Sequence, residues 1–155
     1  MTHRVTAKDM LAVDFSGYWG AEAGASDQDA LIVRNGDVNS RGEIRWAALP
    51  TRALRARELN KSRIRADDIL LTTSGNCGDV AFVEREPSSV TCASNFIRVL
   101  RPNTEIVAPR FLYRILQTDA FRARAAQFTR GATIQNLATD AVLTSFSVSL
   151  PSLPE

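Results

Sequence analysis

The stretch ILLTTSGNCGDVAFVE, residues 69–84, consists of two short apolar runs on either side of a turn sequence, SGNCG at residues 74–78. Aliphatic residues fill the first run and a Val-Ala-Phe-Val series fills the second, while the glycines between them are typical of a tight connection. This pattern predicts a β-hairpin. The following stretch SVTCASNFIRVLRP, residues 89–102, predicts a third strand, so the middle of the chain is expected to be a β-region.

Upstream of this hairpin, three stretches carry structural signals. LIVRNGDV (residues 31–38) predicts a strand that ends in an Asn-Gly-Asp turn, and EIRWAALP (residues 43–50) predicts a short strand stopped by its proline. TRALRARELNKSRI (residues 51–64) has the composition of a basic, mostly exposed helix with Thr51 as its N-cap. The hairpin is therefore expected to follow two strands and one helix.

Downstream of the β-region the pattern changes to helices. Pro109 suits the first turn of one helix, and a second helix is expected to follow Thr118 and to end at Gly131. The predicted apolar stripe of the first helix consists of Phe111, Leu112, Ile115 and Leu116. LTSFSVSLP (residues 143–151) predicts the last strand. Because strands and helices mix without a regular βαβ order, the predicted class is α+β: a twisted, mostly antiparallel and partly barrel-like sheet with a few packed helices.

The composition is that of one globular domain. The chain has 155 residues, of which 45% are hydrophobic and 23% charged, enough to bury one sizeable core. It has no apolar run long enough to span a bilayer and no secretory signal, so we expect a cytoplasmic protein with no membrane partner. Two cysteines without Cys-x-x-Cys spacing and a single histidine argue against a disulfide framework and a zinc site.

The charge is unevenly distributed along the chain. The formal net charge is only +2, but residues 34–65 hold nine basic and three acidic side chains, and residues 98–130 hold seven and two. Arginine accounts for 17 of the 19 basic residues, and its planar fork matches phosphate and guanine edges. Two basic segments that merge into one positive face would attract a polyanion. Composition alone is equally consistent with charges that are merely solvated.

Sequence signatures of catalysis are few. His3 is expected near a frayed terminus, and no glycine-rich nucleotide-binding motif occurs, so neither a histidine triad nor a nucleotide cofactor is predicted. The carboxylates at 67–68 and 84–86 fit a turn and a strand end, and Cys77 fits a small filler residue. We therefore expect no enzyme and no cofactor. A small enzyme that uses these carboxylates or Cys77 is left open as an alternative.

Several segments, taken in order, resemble one family, the target recognition domain of type I restriction-modification specificity subunits. The matching segments are GYWG (17–20), IVRNGDV (32–38), IRADDILLTTSGNCGDVAFV (64–83), NFIRVLRP (95–102), RFLYRILQT (110–118) and RGATIQNLATDAVLTSFSVSLPSLPE (130–155). The resemblance runs over nearly the whole chain. One departure is Asp67-Asp68, which stands where the family often has Gly-Asp.

The resemblance implies a DNA reader without chemistry of its own. In such complexes each recognition domain reads one half of a split target, while separate subunits methylate adenine with S-adenosylmethionine and others translocate and cleave DNA. The implied partners are double-stranded DNA, DNA methyltransferase (modification) subunits, restriction subunits, and a second recognition domain or a second copy. A typical member joins two domains by long helices that begin after the Pro-Glu pair, so residues 1–155 are expected to form one recognition domain, excised or half a subunit.

A DNA reader needs phosphate contacts that hold its register and base contacts that discriminate. The arginines expected at phosphates are those of the predicted basic helix, Arg52, Arg55 and Arg57, with Arg63 and Arg65 beside them. Three loops supply the side chains expected at base edges: Arg34 and Asn35 in the first, Thr73, Ser74 and Asn76 in the second, and Arg130, Thr133, Gln135 and Asn136 in the third. The third loop is favoured because it precedes a helical turn whose amides attract phosphate.

Other readings of these residues are left open. The loops can be plain turn chemistry, with Asn136 as a helix N-cap, and the basic faces can belong to a protein-interaction module without sequence-specific DNA binding. Tyr18 and Trp19 either stack against DNA or form an apolar plug on the core, and the plug is the expected role because tryptophan has a large apolar area to bury.

Overall fold

The computed structural model describes residues 1–25 and 28–152 of the chain. The closing residues 153–155, beyond which a spacer helix was expected, lie outside the described part. The strands are β1 (Thr2–Thr6), β2 (Leu11–Ser16), β3 (Ala21–Glu22), β4 (Gln28–Val33), β5 (Thr51–Leu54), β6 (Ile69–Thr72), β7 (Val80–Phe82), β8 (Thr91–Ala93), β9 (Ile97–Pro102), β10 (Thr129–Arg130), β11 (Asn136–Leu137) and β12 (Ser147–Pro151). The helices are α1 (Ala56–Ser62), α2 (Pro109–Leu116), α3 (Asp119–Gln127) and α4 (Thr139–Ser145).

Most strands belong to two four-stranded sheets. The first sheet has the order β2-β9-β6-β7 and is antiparallel throughout, with the predicted hairpin as β6 and β7. The second has the order β3-β5-β4-β8, and its β4–β8 pair is parallel. Neither sheet closes on itself within the described part of the chain. The α+β class and the mostly antiparallel pairing are thus confirmed, and the sheets are open rather than a closed barrel.

The predicted third strand, residues 89–102, is interrupted. Residues 94–96 separate β8 from β9, and these two strands lie in different sheets. The interruption is stabilised locally, because the amide of Ile97 donates to the carbonyl of Ser94 and that of Phe96 donates to the Ser94 hydroxyl. The chain crosses from one sheet to the other at this point.

The two faces of the first sheet pack against different layers, as the two-residue period of a strand requires. Ile69 and Leu71 of β6 face a core formed with α2, α3 and α4, whereas Leu70 between them faces a second core shared with Val33 and Ala93 of the second sheet. Each of these five side chains is fully buried. The hairpin therefore lies between the helices and the second sheet.

The helices of the carboxyl half follow the predictions closely. Pro109 occupies the first turn of α2, and the Thr118 side chain accepts a hydrogen bond from the amide of Phe121 at the start of α3. Leu112 and Leu116 are buried as expected. Phe111 is exposed instead, because the buried stripe of this short helix continues through a different residue, Tyr113.

The basic segment 51–64 is a strand followed by a helix, so the prediction of one long helix is wrong. Residues Thr51–Leu54 pair with both β3 and β4, and α1 begins only at Ala56. Strand pairing on both edges outweighs the helical preference of this stretch. Thr51 is accordingly no N-cap, and the first turn of α1 is closed by Glu58, whose carboxylate accepts from the amide of Arg55 at 3.0 Å.

Three shorter predictions also need correction. Residues 43–50 contain a 3-10 helix, Trp46–Ala48, in place of a strand, whereas Asn35–Asp37 form a single 3-10 turn where the Asn-Gly-Asp turn is predicted. α3 ends at Gln127, before Gly131. The first residues of the predicted last strand belong to α4, so that strand begins at Ser147.

The two ends of the described chain form a ribbon of their own. β1 pairs with β12 in antiparallel register from Thr2 opposite Pro151 to Thr6 opposite Ser147. His3 therefore lies in a paired strand, opposite Leu150, and the expectation of a frayed terminus is wrong. The ribbon is attached to the helical core through Val5, Val148 and Leu150.

Candidate nucleic-acid interface

The three polar loops singled out in the sequence lie together. We call residues 34–38, 72–79 and 129–137 the three-loop cluster. The second and third loops are joined by backbone hydrogen bonds, from the amide of Gly75 to the carbonyl of Gln135 and from the amide of Leu137 to the carbonyl of Thr73, both 2.9 Å. The second and third loops, which are distant in sequence, thus form one surface.

Two asparagine side chains join the first loop to the second. The Asn35 amide nitrogen donates to the Ser74 carbonyl at 3.0 Å. In the other direction, the Asn76 amide nitrogen donates to the carbonyls of Asn35 at 3.2 Å and Val38 at 3.0 Å, and to the Asp79 carboxylate at 3.0 Å. The donors of both asparagines are therefore occupied within the protein, and these side chains fix the loops relative to each other.

The arginine of the first loop is held in one direction. Asp37 is almost completely buried (1% exposed), and its two carboxylate oxygens accept from the Arg34 guanidinium at 2.9 and 3.1 Å. The same carboxylate accepts from the Arg34 backbone amide at 2.9 Å. Since a planar fork bound on one edge keeps its orientation, Arg34 presents its remaining donors to solvent at a fixed position.

The third loop is the most exposed part of the cluster. All residues from Gly131 to Asn136 are exposed, and Gln135 donates from its side chain to the Gly131 carbonyl at 2.6 Å. Thr133 makes no side-chain hydrogen bond with the residues that the structure describes. The Arg130 guanidinium donates to the carbonyls of Gln127 and Thr129, at 2.7 and 3.0 Å, at the end of α3.

Asn136 is not a helix cap. It lies in β11 opposite Arg130, and Ala138 separates this strand from the start of α4 at Thr139. The short strand pair closes the third loop and holds it against Ser74, which bridges to Asn136. Contrary to the prediction, the third loop does not directly precede the free amides of α4, because Leu137 and Ala138 lie between Asn136 and the helix.

The arginines of the basic segment lie on β5 and at the start of α1, outside the three loops. Arg52 lies on β5, where its guanidinium donates to the carbonyls of Trp19 at 3.3 Å and Gly20 at 3.0 Å and lies 4.3 Å from the centre of the Trp19 ring. Arg55 and Arg57, at the start of α1, are exposed and form no ion pair with the described residues. These two charges are available to an anionic partner.

Trp19 differs from its expected role. It is 38% exposed, whereas its neighbour Tyr18 packs against the small core cluster of Ile32, Leu54 and Leu59. Tyr18 is therefore the plug, and Trp19 reaches the surface.

Sequence reasoning missed two residues beside Trp19. Asn95 and Phe96 are exposed at the crossing between β8 and β9, and they line a notch with Trp19, Arg34 and Asn35. The Ser-Asn-Phe interruption of the apolar pattern is the sequence signal for this crossing, and it lies inside the stretch for which one continuous strand is predicted.

The possible catalytic groups have structural partners. Asp68 is buried and forms two hydrogen bonds with the Arg101 guanidinium, at 2.8 and 2.9 Å, and Asp67 adopts a positive φ of 71° in the turn before β6. Glu84 pairs with Arg110. Burial raises the pKa of the Cys77 thiol, which opposes formation of a reactive thiolate at neutral pH.

The described residues provide neither a metal site nor a membrane span. No group of three or more histidine, cysteine, aspartate or glutamate side chains there could hold a metal ion. No helix in residues 1–25 and 28–152 is long and apolar enough to cross a membrane.

Comparison with solved structures identifies the fold. At 16% identity and a TM-score of 0.69, 98% of the chain aligns with 38% of the HsdS subunit from Thermoanaerobacter tengcongensis. At 15% identity and a TM-score of 0.60, 96% of it aligns with 34% of a type I restriction-modification S subunit from M. genitalium. A third structure, from work on complex assembly and conformational transition of the type I R-M system, aligns over 97% of this chain and 38% of its own at 15% identity and a TM-score of 0.64.

The chain spans about a third of the length of these structures. Among curated proteins no sequence matches it. A family model does match: that of the type I restriction modification DNA specificity domain, over residues 30–155. The chain therefore belongs to the type I restriction modification DNA specificity domain family.

Proposed function

We propose that residues 1–155 act as one target recognition domain that binds double-stranded DNA at a specific sequence. The observation that carries the proposal is the three-loop cluster, in which polar loops distant in sequence are held together by hydrogen bonds from Asn35, Asn76 and Gly75. Reading a base edge requires donors and acceptors at fixed positions, and a cluster fixed by its own hydrogen bonds meets that requirement. Membership of the DNA specificity family supports the same conclusion.

The two regions divide the work of binding. Arg55 and Arg57 are exposed and have no ion-pair partner among the described residues, so they suit phosphates, which any duplex presents. Thr133 and Gln135, on the exposed third loop, suit base edges, while Arg34 supplies a fixed fork for guanine. Asn35, Ser74 and Asn76 act mainly by holding these residues in place.

The domain carries no reaction in this proposal. It reads one half of a split target and directs DNA methyltransferase and restriction subunits, in the cytoplasm, where the chemistry belongs to those subunits. The solved relative described in terms of complex assembly supports such partners for the family, at the level of the fold. Cys77, with its raised thiol pKa, and the paired carboxylates fit a binding module better than an enzyme.

The proposal is tested by fluorescence anisotropy of a labelled mixed-sequence duplex at two salt concentrations, with bound DNA recovered and sequenced. We expect salt-sensitive binding that enriches one short motif. Binding without enrichment would leave a basic surface only. Gln135→Ala then refines the assignment, because loss of a base contact relaxes one position of the motif by about 1–3 kcal/mol and leaves the others unchanged.

The same assay covers the case in which the isolated domain binds weakly. Repeating it with the purified modification subunits present measures whether the domain reads DNA only within a complex. Absence of an enriched motif in both conditions would reject sequence-specific recognition.

A further inference from the structure

An open notch lies beside the three-loop cluster, between two exposed aromatic rings. It has a volume of about 390 Å³ and is lined by Trp19, Arg34, Asn35, Ser94, Asn95 and Phe96. Trp19 is 38% exposed and Phe96 is 44% exposed. The notch shares Arg34 and Asn35 with the cluster, and the Phe96 carbonyl accepts from the amide of Thr73 at 3.0 Å, so the two surfaces are continuous. We call this feature the aromatic notch.

The backbone holds Trp19 at the surface through two close approaches. The amide of Gly17 donates to the Ser94 carbonyl at 3.1 Å, and a Cβ atom at Gly17 would lie 1.7 Å from the carbonyl oxygen of Ala93. Gly20 has a φ of +76°, and a Cβ atom there would lie 2.4 Å from the Ala53 carbonyl oxygen. Trp19 is thus fixed between two glycines that pack against the second sheet.

An exposed aromatic ring on a fixed backbone is suited to contact a partner. Arg52 lies over the Trp19 ring and limits its movement further. Because the ring is already ordered, binding costs little side-chain entropy, which is the usual advantage of an aromatic anchor.

Asn95 differs from the other asparagines near the notch. The side-chain amides of Asn35 and Asn76 donate hydrogen bonds to backbone carbonyls. Asn95, in contrast, is exposed, and its side chain makes no hydrogen bond with any described residue. Its amide therefore retains a free donor and a free acceptor side by side. That pair matches the N6 and N7 positions of adenine in the major groove.

The charge of the notch favours DNA as the occupant. No carboxylate is among its lining residues within the described part of the chain. Arg34 lies in its wall with its charge paired by Asp37, and the positive charge beside the notch comes from Arg52, which lies over the Trp19 ring. These groups suit a partner that combines negative charge with an apolar group close to a hydrogen-bonding edge. An A·T pair in the major groove presents both, the C5 methyl group of thymine and the adenine edge.

We propose that Trp19, Asn95 and Phe96 read one A·T pair of the bound duplex, with Asn95 on the adenine edge and the two aromatic rings on the thymine methyl group. This inference rests on the proposed function. It extends the reading surface beyond the three loops to a second element, and it requires no unstacking of the duplex.

The test removes the methyl group and the rings separately. Once a target motif has been selected, each thymine is replaced in turn by deoxyuridine, which differs only by the methyl group. At one position we expect the wild-type protein to bind about fourfold more weakly, as the loss of one buried methyl group predicts. The Trp19→Ala and Phe96→Ala variants should bind the two duplexes equally, and Asn95→Ala should relax the same base pair.

Matched control variants are available in the chain. Trp46 is 42% exposed in a separate pocket beside Glu84 and Glu86, and Phe111 is 50% exposed on α2. Trp46→Ala and Phe111→Ala should keep the sensitivity to deoxyuridine. Because the chain has only two tryptophans, Trp46→Phe leaves Trp19 as the single fluorophore, and DNA should quench it even if the alanine variants fold poorly.

The outcomes separate this inference from the function on which it rests. If the wild-type protein selects a motif and the Trp19→Ala, Asn95→Ala and Phe96→Ala variants bind it unchanged, the inference is wrong and the proposed function stands. If the sensitivity to deoxyuridine persists in both aromatic variants, the methyl contact lies elsewhere and the inference is also wrong. If the wild-type protein selects no motif, neither alone nor with the modification subunits present, both the inference and the proposed function are wrong.

Discussion

The three-loop cluster and the basic start of α1 were both expected from the sequence to touch DNA, but they use their polar groups differently. In the cluster, the side chains of Asn35 and Asn76 donate hydrogen bonds to neighbouring loops, and Arg34 forms an ion pair with buried Asp37. At the start of α1, Arg55 and Arg57 are exposed and unpaired among the described residues. Residue chemistry alone therefore does not reveal whether a donor is free to bind a partner or already holds the fold.

The largest effect is expected from Asp37→Ala in the cluster. Three hydrogen bonds to one buried carboxylate are lost, and we expect the free energy of unfolding to fall by about 3 kcal/mol. Urea denaturation measures it, with exposed Glu105→Ala as the control. A loss below about 1 kcal/mol would mean that the cluster is held no more firmly than a surface ion pair.

A smaller loss of stability is expected from Asn76→Ala. The change leaves the carbonyls of Asn35 and Val38 without this donor and should cost about 2 kcal/mol, together with most of the sequence preference in DNA binding. Asn60→Ala, at an exposed asparagine on α1, is the matched control; it should not lower stability, because alanine favours the helix, and it should leave the sequence preference unchanged. If both substitutions lowered stability and sequence preference equally, asparagines in the cluster and on α1 would not differ in their roles.

The double substitution Arg55→Ala and Arg57→Ala should leave stability unchanged and weaken DNA binding for all sequences alike. Two lost phosphate contacts lower the slope of log affinity against log salt by about 1.8. Anisotropy titrations over a range of salt concentrations measure this slope. A change in the selected motif with an intact slope would assign these arginines to base reading instead.

The smallest effect is expected from Arg130→Ala. Its guanidinium donates to two carbonyls at the end of α3, so only part of its charge faces a partner. One phosphate contact corresponds to a slope change of about 0.9. An unaltered slope would show that Arg130 serves the loop alone, as Asn76 does.

The sequence predicted best those elements whose signals are local. The hairpin at residues 69–84, Pro109 in the first turn of α2 and the Thr118 cap of α3 depend on neighbouring residues and were confirmed. The division of residues 89–102 between two sheets and the strand at Thr51–Leu54 depend on partners far along the chain. Such pairings leave no periodicity in the segment itself, which explains both errors.

The residue types of the candidate site were predictable from the sequence, but their hydrogen-bond partners were not. The three loops were singled out for their Arg, Asn, Gln and Gly content, and the structure brings them together. The occupied donors of Asn35 and Asn76 could not be foreseen, because their acceptors are backbone carbonyls of other segments. The prediction that Trp19 is buried was wrong for a similar reason, because the glycines on either side of it contact the second sheet, which is distant in sequence.

The ribbon of β1 and β12 has a consequence for protein engineering. Met1 and Ser152 are hydrogen-bonded, from the Ser152 amide to the Met1 carbonyl at 2.8 Å, so the described chain enters and leaves the domain at one point. A host protein would need only two adjacent attachment sites to receive it as an insert. The same closeness makes a circular permutant feasible, with a short glycine linker between these residues and new ends in an exposed loop.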